Sequence, residues 1–162
     1  GDGSFYDFTL VLPSGVQQKL KGEILSETQI AFGSTHIAPA VSLAVNVTYP
    51  KPYATFGLNL GFVKGSNDHP VTIDDTGNWP WGEVAKDAPP SFSIVIKDSG
   101  VQRTFASWPA GAEGSYIISK WGTEPGDIVE GTISGKLVND GPDPLEAEIA
   151  GDFRIVLPFV DQ

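Results

Sequence analysis

The sequence predicts an all-β fold: an antiparallel β-sandwich, jelly-roll-like or immunoglobulin-like, with a barrel as the alternative closure. Three observations lead there. Apolar residues recur at every second position in run after run, which is the period of a strand with one buried face. Those runs are punctuated by 19 glycines and 13 prolines in 162 residues, residue types that make turns and interrupt helices. Nine phenylalanines and four tryptophans supply the apolar area that a core needs, so the chain is not a disordered tail. The length suits one domain spanning residues 1–162.

Taken in order, the first run is Tyr6, Phe8, Leu10 and Leu12. Between Leu25 and Phe32 the alternation fades, and this is the one stretch that reads as a helical turn, with Ser26 as its N-cap. Two long runs follow: Val41, Leu43, Val45, Val47 and Tyr49, then Phe56, Leu58, Leu60 and Phe62. From residue 64 to 90 only Val71 to Ile73 reads as a strand, so this is the longest loop-like segment, the kind of place where a β scaffold carries function. Phe92, Ile94 and Ile96 run into Lys97-Asp98-Ser99-Gly100-Val101, which predicts a hairpin whose return strand reaches Phe105. Ser115 to Lys120 adds a short strand.

The strongest signal is at the end. Val129, Ile133 and Leu137 alternate with Glu130, Thr132, Ser134 and Lys136. Leu145, Ala147, Ile149, Gly151, Phe153, Ile155 and Leu157 then fall on one side of a strand that carries Glu146, Glu148, Asp152 and Arg154 on the other. The turn-rich segment Asn139-Asp140-Gly141-Pro142-Asp143-Pro144 lies between them, predicting a long hairpin. Gly131, Gly135 and Gly151 sit on its inner face, where they leave room for large side chains or permit bulges.

Charge and cysteine exclude whole classes of function. A formal charge of -10 argues against binding nucleic acid through its phosphates. The absence of cysteine rules out disulfide staples, Cys-ligated metal and a thiol nucleophile. No apolar run is long enough to cross a bilayer as a helix. The start, Gly1-Asp2-Gly3-Ser4, is no signal peptide, and an export signal or lipid anchor removed upstream stays open. Few Lys and Arg beside many Thr, Ser, Gly and Asn give the look of an exported β domain. The charge is also local. Residues 1–66 hold four acids and four bases, so the remaining 96 carry the whole -10 together with Trp79, Trp81, Trp108 and Trp121.

Within the long loop, Asp74, Asp75, Asn78, Trp79, Trp81 and Glu83 place indole faces beside carboxylates and an amide. That pairing recognises sugars, whose C–H faces stack on aromatic rings while their hydroxyls bond to polar groups. The same residues also suit a plainer role, one Trp folding inward to plug the end of the fold. Hard oxygen ligands in the turns, Asp140 and Asp143 above all, suit calcium, although the spacing is not that of an EF-hand loop; no other cofactor is expected. Asn46-Val47-Thr48 fits the glycosylation pattern. For catalysis, His36 and His69 are the only histidines, and no segment nominates a nucleophile.

The segments Glu130-Gly131-Thr132-Ile133-Ser134-Gly135-Lys136-Leu137 and Ala150-Gly151-Asp152-Phe153-Arg154-Ile155 resemble the closing hairpin of small exported bacterial β-sandwich domains of the surface-lipoprotein type. The resemblance covers about a fifth of the chain and rests on the physics of a glycine-bearing hairpin. It implies a secreted or cell-surface location and a non-enzymatic role, and it brings no catalytic residues. The expectation is therefore a secreted or surface interaction module that binds a glycan or protein partner through the Trp/Asp-rich loop. The alternatives are a carboxylate-dependent glycoside hydrolase or lyase, and a calcium-stabilised adhesion or assembly module.

Overall fold

A computed structural model describes residues 3–24, 30–35, 40–50, 53–63, 77–81, 91–122, 126–139 and 141–157. Among them there are eleven strands and no helix. Strands β1 (Phe5–Val11) and β2 (Gln17–Glu23) form the first hairpin. Its turn is closed by the Leu12 N–H donating to the Val16 carbonyl at 2.9 Å, and Gly15 supplies the φ of 90° that the turn requires. Next come β3 (Ile30–Thr35), β4 (Ala40–Pro50) and β5 (Tyr53–Val63), then the short β6 (Gly77–Pro80). The chain continues through β7 (Ser91–Asp98), β8 (Val101–Ala106) and β9 (Glu113–Trp121) to the long closing pair β10 (Ile128–Asn139) and β11 (Leu145–Val156).

Both sequence-predicted hairpins form. Ser99 and Gly100, with φ of 53° and 82°, make the two-residue connection between β7 and β8, the turn geometry whose twist matches a right-handed strand pair. Strands β10 and β11 pair from Ile128↔Val156 to Asn139↔Leu145, and Ala147, Ile149, Phe153, Ile155 and Leu157 are buried as their alternation requires. A register shift between Glu130 and Gly131 interrupts the pairing of β10 with β9; the residue left without a cross-strand partner is Ser119 on β9, and Gly131 stands beside the irregularity.

All strand pairs are antiparallel, and the sheet runs β2-β1-β11-β10-β8-β7-β5-β4-β3, with β9 added to β10 and β6 to β9. A single residue pair, Val138↔Ala106, connects β10 to β8. The sheet turns there, because the rest of the same β10 edge is taken by β9 from Val129 to Lys136. Ring contacts show how far it bends. Tyr6 and Phe8 on β1 lie 5.0 and 5.5 Å from Phe56 on β5, and Phe8 lies 5.9 Å from Phe92 on β7. In a flat sheet, five steps of about 4.8 Å would hold β1 and β5 roughly 24 Å apart. The sheet is accordingly curled into a half-barrel around an aromatic core. Strands β2 and β3 end its path, and among the described residues they do not pair, so the barrel is not closed.

Two expectations change, and one strand forms that the sequence did not announce. Ile30–Thr35 is strand rather than helical turn, while residues 25–29, including Ser26, lie outside the described residues. The segment from 64 to 90 contains β6, which pairs with β9 from Gly77↔Ile118 to Pro80↔Ser115; Val71 to Ile73 lies outside the described residues. Strand β2 has no alternating apolar run, since within it only Leu20 is buried, and it forms as the partner of β1. The Asn46-Val47-Thr48 pattern lies in the middle of β4, with Val47 buried.

Candidate functional site

Trp81, which the sequence offered either as a stacking ring on the binding loop or as an inward plug, is a core residue, 5% exposed. Its ring meets Tyr116 edge-on at 5.9 Å, and Tyr116 meets Phe153 in the same way. Space for the indole comes from missing side chains: a Cβ on Gly114 or Gly135 would come within 2.2 or 2.5 Å of Trp81 Cζ2. The Trp81 N–H donates to the Gly114 carbonyl, which extends the β6 to β9 pairing by one residue. Its indole Nε1 is buried and has no hydrogen-bond partner among the described residues. Beneath the ring, the Tyr116 hydroxyl donates to the Ser91 carbonyl at 2.5 Å, tying β9 to the start of β7.

Asn78 and Trp79 sit on β6 opposite Ile117 and Tyr116. Asp74, Asp75, Glu83 and Asp140 lie outside the described residues, and Asp143 is exposed in the β10–β11 connection. Among the described residues, no group of three His, Asp or Glu side chains is arranged to hold a metal ion.

What the strand order does bring together is the outward face of β2, β1, β11, β10 and β9. Outward residues there share cross-strand rows. In one row Thr9, Ala150 and Ser134 stand side by side; in the next stand Val11, Glu148, Lys136 and Glu113. Small side chains in the first row and long ones in the second leave a shallow trough of about 620 Å³. Glu146 completes its wall and pairs with Lys136, with Nζ 3.4 Å from Oε1. Three carboxylates against one ammonium give the lining a net charge of -2. Glu113 and Glu148 flank Lys136 on neighbouring strands and make no ion pair among the described residues.

An exposed aromatic residue is carried on the turn that leads into Glu113 of this trough. Between β8 and β9 the chain turns through Trp108, which is 40% exposed, with the Ala112 N–H donating to the Pro109 carbonyl. Gly111 packs on Val138, whose cross-strand neighbour is Glu146, and the turn ends at Glu113. The turn carrying Trp108 thus meets the sheet beside two of the trough carboxylates.

The same face is stitched along its other rows by exposed ion pairs. Lys19 Nζ lies 2.6 Å from Asp7 Oδ1, Lys21 lies 3.9 Å from Asp7 Oδ2, and Arg154 lies 3.6 Å from Glu130. The hydrogen bond from Lys19 holds the Asp7 carboxyl below the ordinary 3.8, helped by the charges of both lysines and opposed by partial desolvation.

Sequence reasoning placed Glu146, Glu148 and Asp152 on one face of the closing strand without nominating them as a site. It missed Thr9, Glu113 and Ser134 because their neighbourhood follows from strand order. The usable signal was that each sits at an outward position of an alternating strand. Comparison with protein-family models, curated proteins and solved structures finds no match. No helix among the described residues is long and apolar enough to cross a membrane.

Proposed function

We propose that this chain is a secreted or cell-surface recognition module, built as a β-sandwich, that binds a hydroxyl-rich ligand of the glycan class on the outward face of β1, β11, β10 and β9. The observation that carries the reading is the trough. Its floor of Thr9, Ala150 and Ser134 is small enough to admit a ring, and its walls carry carboxylate acceptors. The exposed Trp108 supplies an aromatic surface of the kind that stacks on sugar C–H groups. Ring contacts between β1 and both β5 and β7 support the two-layered description. The resemblance of the closing hairpin to exported surface domains supports the location.

Glycan-array screening followed by titration calorimetry tests the proposal. Ser134→Trp fills the trough and is expected to weaken binding at least about tenfold, with Glu148→Gln and Trp108→Ala each losing a smaller part. Trp79→Ala reads out the loop contribution in parallel. Absence of any glycan ligand, or binding that Ser134→Trp leaves intact, discards the proposal.

A hydrolytic reading has one observation in its favour, the three carboxylates lining one trough. All three are exposed on an open sheet face, whereas a general acid gains its raised pKa from burial or from a neighbouring charge. Binding without turnover is therefore the better-supported chemistry. Release of reducing ends from a bound glycan, abolished by Glu148→Gln, would reverse that order.

A further inference from the structure

The two ends of the sheet differ in chemistry. Strand β2 carries Lys19 and Lys21, both turned onto the outward face beside Asp7. Lysines on an edge strand are a common defence against pairing with another chain. Strand β3, Ile30–Thr35, ends the other side of the sheet and bonds only to β4 among the described residues. It has no charged residue and no proline, and from Thr28 to Val63 the single charged side chain is Lys51. Among the described residues, the outer edge of β3 therefore carries none of the defences seen on β2.

Charge separates along the same axis. Asp7, Glu146, Glu148 and Asp152 belong to β1 and β11, near the β2 end of the path, whereas β3, β4 and β5 contain no acid or base. Two copies of a chain with a charge of -10 repel one another, and they do so least when joined through the neutral end.

We propose that β3 pairs antiparallel with β3 of a second copy of this chain, making a two-fold symmetric dimer with one continuous sheet. A strand meeting its own copy antiparallel satisfies the symmetry of an isologous interface. Growth along the sheet path stops at two, because among the described residues the path then ends in the lysine-bearing β2 strands.

Sedimentation velocity over a concentration series, on the whole chain, tests this. The expected species has twice the 17.2 kDa chain mass. Ala31→Lys places like charges across the joined edge and is expected to raise the dimer dissociation constant at least about tenfold while leaving the near-UV circular dichroism unchanged. If Ala31→Lys does not fold, Thr35→Lys at the strand end makes the same comparison. Hydrogen exchange adds a local readout, with β3 amides protected in the dimer and exchanging in the lysine variant. A monomer at all concentrations overturns the proposal. So does a dimer that survives both lysine substitutions, or larger polymers in place of a dimer.

Discussion

The niche that holds Trp81 is made by two glycines on strands distant from it in sequence, Gly114 on β9 and Gly135 on β10. The motif Trp79-Pro80-Trp81-Gly82 reads the same whether a ring points inward or outward, so the direction was not legible locally. Substitution separates core from ligand surface. Trp81→Ala is expected to cost about 3–5 kcal/mol through the cavity it leaves. Gly114→Ala is expected to cost about 1–3 kcal/mol, because its methyl would overlap both the indole and the Ser134 carbonyl. Thermal unfolding followed by far-UV circular dichroism reads both, the glycine change as a fall in Tm of roughly 3–10 °C. A Trp81→Ala variant as stable as wild type would place the ring outside the core. Asp7 gives a residue-scale pH prediction. Its carboxyl is held below 3.8, so the stability it contributes is fully present above that value and lost as pH falls through the lowered one. Asp7→Asn should accordingly lower Tm at pH 7 and approach the wild-type Tm near pH 2, and a deficit that persists undiminished at pH 2 would contradict the assignment.

At the scale of elements, strands whose inward residues are large and regularly spaced were legible: β1, β4, β5, β7, β10 and β11 all show period two in the sequence. Strands that exist because a neighbour holds them were not. Leu20 is the one core residue within β2, and the four residues of β6 pair along β9. The long-range ties were equally hidden. The turn after β1 is clasped to the β7–β8 hairpin by Asp98, which is 6% exposed and accepts hydrogen bonds from Ser14 N–H at 3.2 Å and Ser14 Oγ at 2.5 Å. Their separation of 84 positions left no trace in either local pattern. Asp98→Ala should cost about 1–3 kcal/mol, since a charged acceptor is removed and Ser14 loses its partner. In a double-mutant cycle with Ser14→Ala the two losses should be strongly non-additive. Additive losses would mean that the clasp does not couple the hairpins.

Over the whole molecule, the sequence made the charge imbalance visible, and the strand order shows where much of it goes. Outward rows of β1, β11, β10 and β9 carry Asp7, Glu113, Glu130, Glu146, Glu148 and Asp152 against Lys120, Lys136 and Arg154. Folding concentrates these acids, so their mutual repulsion opposes the compact state. Salt acts on this balance in two directions. It weakens the pairs Lys19–Asp7, Lys136–Glu146 and Arg154–Glu130, but these are partly exposed and such pairs are worth about 0–1 kcal/mol each. It also screens the mutual repulsion of all six acids, paired and unpaired, over a distance that shrinks to about 10 Å at 0.1 M. Relief of repulsion should win. The Tm is expected to rise between about 10 mM and 0.3 M sodium chloride. Glu148→Lys, which reverses one charge of the trough, should raise Tm at low salt and have little effect at high salt. A Tm that falls with added salt would mean that the ion pairs outweigh the repulsion, and the acidic face would then be a stabilising network.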